Sequence, residues 1–328
     1  MLGYAAMNRT LREETPPVRC NRSMREATFE DRGLEYVAEL AVQNLSDLLT
    51  TLQWNVRHGI FFYRCTSKLI PWNLRYEIER LPRFDEIRRL AERIGEFVET
   101  NGVRLTFHPN YYCKLASTST DTAERSARDL ANHGRWLDLM GLPRRPYYGI
   151  VVHVGATYGD REATLTRFCA RVDDLPAAAA DRLTVENDDE EALYSADELV
   201  RGVAEECGVP VTLDYHHHSF TDRGYSYREA YDLARETWDG PPVVHLSEAE
   251  RLHTGDTTTS PQSHADYVAE IPAWLRASDA DVMLEAHAKE RAVLYHTLDH
   301  ETGGPADDHE TGCPAENLEH DAPPDGSA

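Results

Sequence analysis

Val211-Thr212-Leu213-Asp214 is a short run, apolar at Val211 and Leu213, that ends in a carboxylate, and His216-His217-His218 follow almost at once. The same shape recurs in Phe107-His108-Pro109, Ile150-Val151-Val152-His153, Thr184-Val185-Glu186-Asn187-Asp188, Val243-Val244-His245 and Val282-Met283-Leu284-Glu285. A buried strand gains nothing by finishing in an imidazole or a carboxylate unless the ends converge, because an unpaired polar group in an apolar setting is costly. The recurrence predicts that these strand ends meet around something.

Working outward, strand-like runs fall near 1–6, 60–65, 103–108, 148–154, 183–186, 209–214, 242–246 and 281–285, most of them followed by residues with helical period. Between 33 and 54, Leu34, Val37, Ala38, Ala41, Val42, Leu45, Leu48, Leu49 and Leu52 keep the three-and-four spacing of a core-facing helix. From 84 to 98, Ile87, Leu90, Ala91, Ile94 and Phe97 repeat it. Asn101-Gly102, Cys207-Gly208 and Asp239-Gly240-Pro241-Pro242 punctuate the joints before Val103, Val209 and Val243. Strands alternating with helices over short loops make a parallel sheet, and eight such units favour closure. The predicted fold class is therefore α/β, a TIM (β/α)8 barrel over 1–295, followed by an acidic, disordered tail over 296–328. No glycine-rich phosphate fingerprint follows the first strand, which argues against a dinucleotide-binding sheet. The tail carries Asp, Glu, Gly and Pro with almost nothing to bury, and His296, His300, His309 and His320 read there as solvated.

The chain of 328 residues has 57 acidic against 34 basic residues, a formal charge of −23. Lys68, Lys114 and Lys289 are its only lysines. Such a surface suits concentrated salt, where self-repulsion is screened and carboxylates hold water, and it predicts a salt-loving host. Net acidity argues against nucleic acid as a partner, yet it reflects solvent as much as function. A local set such as Arg57, Arg64, Arg75, Arg80, Arg83, Arg88, Arg89 and Arg93 is either a solvated face paired with acids or a backbone contact. Six scattered cysteines without a CxxC pair suggest neither a thiolate zinc site nor a disulfide framework. No run approaches a membrane span and no leader is evident, so a soluble, unexported, cytoplasmic protein is expected.

In barrels of this kind the chemistry sits at the carboxyl ends of the strands. There the chain offers His108, His153, Glu186, Asp214 with His217, His245 and Glu285. Imidazoles and carboxylates without thiolates suit zinc or manganese, and their number exceeds what one ion needs, so two or three ions are expected. Glu186 has an oxygen for each of two ions about 3.5–4 Å apart, an arrangement that serves phosphodiester hydrolysis. Spacing alone leaves His217 and its two neighbours unresolved, since in extended chain successive side chains alternate sides. His264, in Pro261-Gln262-Ser263-His264, reads by itself as a surface histidine.

Taken with Val152-His153-Val154-Gly155-Ala156-Thr157-Tyr158-Gly159, Leu213-Asp214-Tyr215-His216-His217-His218, Val244-His245-Leu246-Ser247 and Val282-Met283-Leu284-Glu285-Ala286-His287-Ala288-Lys289-Glu290, the motifs above resemble the UV damage endonuclease family, in order from Gly3-Tyr4 to about Lys289. The resemblance implies an endonuclease IV-like barrel that nicks damaged double-stranded DNA immediately 5′ to cyclobutane dimers, 6-4 photoproducts and abasic sites, leaving a 3′-hydroxyl and a 5′-phosphate. It implies that His108, His153 and Glu186 hold one ion, that Glu186, Asp214, His245 and Glu285 hold a second, and that His217 and His264 help hold a third. Manganese is the metal so implied, with Zn2+, Mg2+ or Co2+ as alternatives, and Glu186, Asp214 and Glu285 are the residues at the chemistry.

The resemblance also puts Tyr4 and Asn8 near the lesion and a wedge at Tyr111-Tyr112, where the family's glutamine is replaced by Tyr111. The bland alternative for these tyrosines is packing beneath their loop. Lys68 stands where some members carry a metal-facing histidine, and an ammonium cannot ligate a cation, so either the first ion keeps an extra water or Lys68 contacts phosphate. Val243 stands where some members carry a modifiable lysine. No obligate protein partner is evident and a monomer is expected. The rival readings are a metal-dependent sugar isomerase of the same superfamily, which an enclosed pocket would favour, and a barrel that merely binds metal or DNA.

Overall fold

The computed structural model describes residues 1–302, with side chains through 297. Eight parallel strands close in sequence order: β1 (Leu2–Ala5), β2 (Phe62–Cys65), β3 (Arg104–Phe107), β4 (Ile150–Val152), β5 (Leu183–Glu186), β6 (Val211–Asp214), β7 (Val243–Leu246) and β8 (Asp281–Leu284). Every expected strand is present, and β1 closes on β8 with Gly3 beside Met283. β3, β5, β6, β7 and β8 are buried along their whole length, as befits parallel strands covered by helices. Gly3 is required where β1 meets β2, because a Cβ there would stand 2.4 Å from the Phe62 carbonyl oxygen.

The outer helices follow the apolar spacing. Helix Phe84–Thr100 buries Ile87, Ala91, Ile94 and Val98. The long segment Glu26–Arg57 is two helices joined at Gly33, whose φ of 60° breaks the helical path at the residue where the spacing predicted a start. One core runs between barrel and helices.

The amino end of the barrel is sealed by a buried ion pair. Arg104 and Asp281 lie opposite one another inside the bore, Nη1 to Oδ2 at 2.8 Å, and the Met1 amine adds a bond to Oδ1 at 2.7 Å. Arg104 also donates to the carbonyls of Tyr147 and Pro241, so its fully buried guanidinium is compensated on several sides.

At the carboxyl end of the chain the structure departs from expectation. The last helix runs Glu290–Thr302, past the boundary expected at 295. His296 is buried, its Nε2 2.8 Å from the Val268 carbonyl, so it belongs to the barrel and is not a solvated tail residue. The expected disorder over the rest of the tail, 303–328, lies outside the described residues. Among the described residues no helix is long and apolar enough to cross a membrane.

Candidate metal centre

Glu186, last in β5, is the hub. His108 follows β3 directly, His153 follows β4, His245 lies within β7, and His217 sits in the short helix Tyr215–Thr221 after β6. Their ring nitrogens approach the Glu186 carboxylate at 3.0 Å (His108 Nε2), 3.1 Å (His245 Nδ1), 3.2 Å (His217 Nδ1) and 3.8 Å (His153 Nε2). Asp214 ends β6, and Glu285 follows β8 with an oxygen 3.2 Å from His245 Nδ1. Glu186, Asp214 and His245 are at most 1 % exposed.

The donors fall into three overlapping groups, His108/His153/Glu186, Glu186/Asp214/His217 and Asp214/His245/Glu285, each with ligand atoms within 4.8 Å of one another. Glu186 is shared between the first two and Asp214 between the last two. The family resemblance implied another division, with His217 beside His264; in the structure His217 joins Glu186 and Asp214, and His264 enters none of the three groups. His264 Nδ1 lies 2.7 Å from the Glu285 carbonyl oxygen, the residue pairs with Ala249 across an isolated bridge, and it lines the cavity over the centre.

The electrostatics explain why so many charges tolerate burial. Burial opposes ionisation of Glu186, yet the imidazoles of His245 and His153 and hydrogen bonds with His108 and His217 outweigh it and hold the carboxyl well below the usual carboxylate range. Glu285 is likewise lowered: burial opposes the charge, and the Arg64 guanidinium, paired with it directly, and His245 outweigh it. Burial lowers His108. For His153 burial is outweighed by Glu186 and Asp188, and its pKa is pushed up to about 9.

At this centre three buried atoms have no hydrogen-bond partner, His153 Nδ1, Asp214 Oδ2 and His245 Nδ1. Leaving such groups unsatisfied is costly. Oxygen and imidazole donors gathered around one space, three of their atoms orphaned, fit divalent cations, and the lack of thiolate suits manganese, magnesium or zinc.

The sequence left His216, His217 and His218 unresolved because it assumed extended chain, whereas the segment is helical. Asp214 caps that helix by accepting from the His217 amide at 2.7 Å, and the helical phase then separates the three rings. His216 Nε2 lies 3.1 Å from the Pro261 carbonyl oxygen and His218 Nε2 2.8 Å from that of Tyr225, which leaves His217 at the carboxylates. Two supports were missed. Asn187 clasps the Asp214 backbone in both directions, at 2.8 and 3.1 Å, and Asp188 Oδ1 lies 3.4 Å from His153 Nδ1 as a charge partner. Their signal was in plain sight, since both follow Glu186 without a gap.

The DNA-facing expectations divide. Tyr111 and Tyr112 stand 68 % and 67 % exposed after β3, their rings 4.0 Å apart, so they do not pack beneath the loop. Lys68 is exposed and lines the mouth with Arg64. Tyr4 and Asn8, expected near the lesion, lie inside the structure. Tyr4 is fully buried and Asn8 nearly so; the Tyr4 hydroxyl donates to Asn55 at 2.7 Å and accepts from Asn8, and Asn8 caps a helical turn through the Leu11 amide. In this conformation neither presents a surface to a duplex. Most of the arginine row proves a solvated face, with Arg75, Arg83 and Arg88 on exposed acids.

The mouth consists of two adjoining cavities of about 620 and 580 Å³ that share His108, Tyr111, His153, His217 and Glu285. A larger cavity of about 760 Å³ at the opposite end of the barrel has no histidine, and the chemistry does not lie there.

Comparison with known proteins agrees with this geometry. The UV DNA damage endonuclease of Bacillus pumilus is 30% identical over 306 residues, covering 89% of this chain and 91% of that protein. The UV-damage endonuclease of Schizosaccharomyces pombe is 31% identical over 303 residues, covering 89% of this chain; the chain spans about half of that longer protein, 49%. The crystal structure of SacUVDE superposes with a TM-score of 0.79 at 27% identity, covering 92% of this chain and 98% of its own. A family model described as UV-endonuclease UvdE matches residues 1–302. With that match spanning nearly all of it, the chain belongs to the UV-endonuclease UvdE family.

Proposed function

We propose that the chain is a metal-dependent DNA repair endonuclease that hydrolyses the phosphodiester immediately 5′ to cyclobutane dimers, 6-4 photoproducts and abasic sites, leaving a 3′-hydroxyl and a 5′-phosphate. The observation that carries this reading is Glu186, one buried carboxylate ringed by four imidazoles with Asp214 and Glu285 on the adjoining side.

His108, His153 and Glu186 would hold one ion, and Asp214, His217, His245 and Glu285 the other one or two, with Mn2+ favoured over Zn2+, Mg2+ or Co2+. Bound there, divalent cations supply Lewis acidity, which activates water and neutralises charge at phosphorus and the departing 3′-oxygen. Glu186, Asp214 and Glu285 set the positions at which that happens. Asp188 lies beside His153 as a charge partner, and Arg64 holds Glu285. His264 closes the wall behind Glu285. Tyr111 and Tyr112 present two exposed rings to the duplex, where stacking fills the space left when weakly stacked damaged bases are extruded.

The endonuclease family match and the breadth of the mouth favour DNA over the small polyol of a sugar isomerase. The same proposal takes the protein as a monomer in a salt-rich cytoplasm, supported by its charge of −23 and five described cysteines that are free thiols. The test is to incubate the purified protein with UV-irradiated plasmid and manganese in molar salt and to map the ends. Nicks 5′ to lesions bearing 3′-hydroxyl and 5′-phosphate are expected. A metal-loaded protein that leaves irradiated plasmid intact overturns the reading.

A further inference from the structure

Lysine is almost absent from this chain: three residues against 57 acids, with arginine supplying nearly all the positive charge. Those three residues are not scattered over the molecule. Lys68 follows β2, Lys114 follows β3 and Lys289 follows β8, all at the carboxyl rim of the barrel. Lys114 lines one of the two cavities that make up the metal mouth, and Lys68 and Lys289 line the other. No lysine elsewhere exists to dilute the coincidence.

Their bonding also differs from that of the arginines that pair across the surface. Arg83, Arg88, Arg135 and Arg228 are committed to neighbouring acids across the surface. Among the described residues none of the lysines makes an ion pair. Lys114 Nζ donates to the Gly155 carbonyl at 3.2 Å, which leaves its charge uncompensated. Lys289 is partly buried beside Arg64, and its φ of +59° is a left-handed conformation uncommon for a residue with a Cβ, of the kind that recurs at functional sites. Glu290 next to it is not available as a partner, because its carboxylate is taken up by the amides of Arg9 and Thr10 at 2.8 and 2.7 Å. Three ammonium groups without a direct ion pair, set around the metal mouth, are available to an anion from outside the chain.

We propose that Lys68, Lys114 and Lys289 are contacts to the DNA backbone, three ammonium groups placed around the metal mouth to hold phosphates flanking the bond to be cut. This rests on the endonuclease reading and adds to it the residues that grip the strand. The chemistry explains why lysine survives here alone. A guanidinium is a planar fork that pairs bidentately with the acids crowding this surface, whereas an ammonium on a flexible stem is a point charge that follows a phosphate as the duplex distorts.

The experiment measures binding of a duplex carrying one tetrahydrofuran abasic site and a phosphorothioate at the scissile link, by fluorescence anisotropy over a range of KCl. The proteins are the metal-loaded full chain and its Lys68→Gln, Lys114→Gln and Lys289→Gln variants. Each phosphate contact contributes about 0.9 to the slope of log K against log salt, so each variant is expected to lose about one unit of slope. Lys→Arg at the same positions is expected to restore it, and Arg83→Gln, away from the mouth, to leave it unchanged. A purely structural role, such as pinning Gly155 through Lys114, lowers Tm without moving the slope. The assignment is overturned for any lysine whose glutamine variant keeps the wild-type slope while the wild type binds and nicks damaged DNA. A wild type that neither binds nor nicks overturns the endonuclease reading, and the lysine contacts with it.

Discussion

His245 Nδ1 stands 3.1 Å from Glu186 Oε2 and 3.2 Å from Glu285 Oε1, so one fully buried imidazole joins carboxylates from β5 and β8. Groups from strands three places apart in the barrel meet there because each lies at, or directly after, the carboxyl end of its strand. A barrel with a single ligand removed keeps its strands and helices but loses the charge balance at this junction. Glu186→Gln keeps the shape of the side chain that all four imidazoles approach but removes its negative charge and one of its ligand oxygens. It is expected to cut nicking by about 1000-fold or more, the scale of losing a preorganised electrostatic group, while far-UV circular dichroism stays unchanged. Metal analysis is expected to show fewer ions per chain. A variant with full metal content and full activity would remove Glu186 from the centre.

The proton on His153 gives the metal-free and metal-loaded forms opposite pH dependence. Its pKa is pushed up to about 9 from an ordinary 6.5, since Glu186 and Asp188 outweigh its burial. Without metal, this group contributes stability that is complete below the unfolded value and is lost as pH rises through the folded one. A cation must displace the same proton, so apparent metal affinity rises over that interval, by up to about tenfold per pH unit for each proton displaced. With chelator, Tm is expected to fall as pH is raised through this window, whereas the rise in Tm on adding Mn2+ is expected to grow. Differential scanning fluorimetry across the window checks both signs, and parallel trends in the two forms would refute the argument.

The sequence made the barrel legible because parallel strands, buried on both faces, read as continuous apolar runs, and here the ends of most are marked by a ligand. It also gave the phase of the helices, down to the break at Gly33. What it lacked was anything that depends on which strand lies across from which. Spacing along the chain does not say that Asp214 as well as Glu186 is shared between ligand groups, because that follows from closure of the bore. His217 needed the helical phase set by the Asp214 cap. Tyr4 and Asn8 carry residue types suited to a lesion, yet the hydroxyl and amide bond each other and the core. Composition misplaced His296, because one buried turn inside an acidic, proline-rich context leaves no apolar run to notice.

Tyr112 separates recognition from chemistry. Its ring is exposed, its centroid 4.0 Å from that of the tilted Tyr111 ring, and it belongs to none of the ligand groups. Tyr112→Ala is expected to weaken binding to a damaged duplex by about 1–3 kcal/mol, the value of one base–aromatic stack. Single-turnover nicking of an abasic duplex already bound is expected to stay within a few-fold of wild type. Equal losses in the binding titration and the single-turnover rate would contradict that division.

Arg104 tests the opposite end of the barrel. Its guanidinium is fully buried, bonded to Asp281 and to two carbonyls, and far along the bore from Glu186, since it opens β3 while His108 follows that strand. Arg104→Met keeps the approximate length of the side chain but strands the Asp281 carboxylate with the Met1 amine as its remaining charged partner. Breaking one side of a buried pair costs about 3–5 kcal/mol, because the partner stays desolvated. Chemical denaturation is expected to show that loss as a lower midpoint. The folded fraction is expected to bind metal and nick DNA like wild type, because nothing at the ligand rim has changed. The further double change to Arg104→Met and Asp281→Leu is expected to recover much of the stability by removing the stranded charge, and a double variant no more stable than the single would show that the carbonyl bonds of Arg104, and not its charge pairing, hold that end closed.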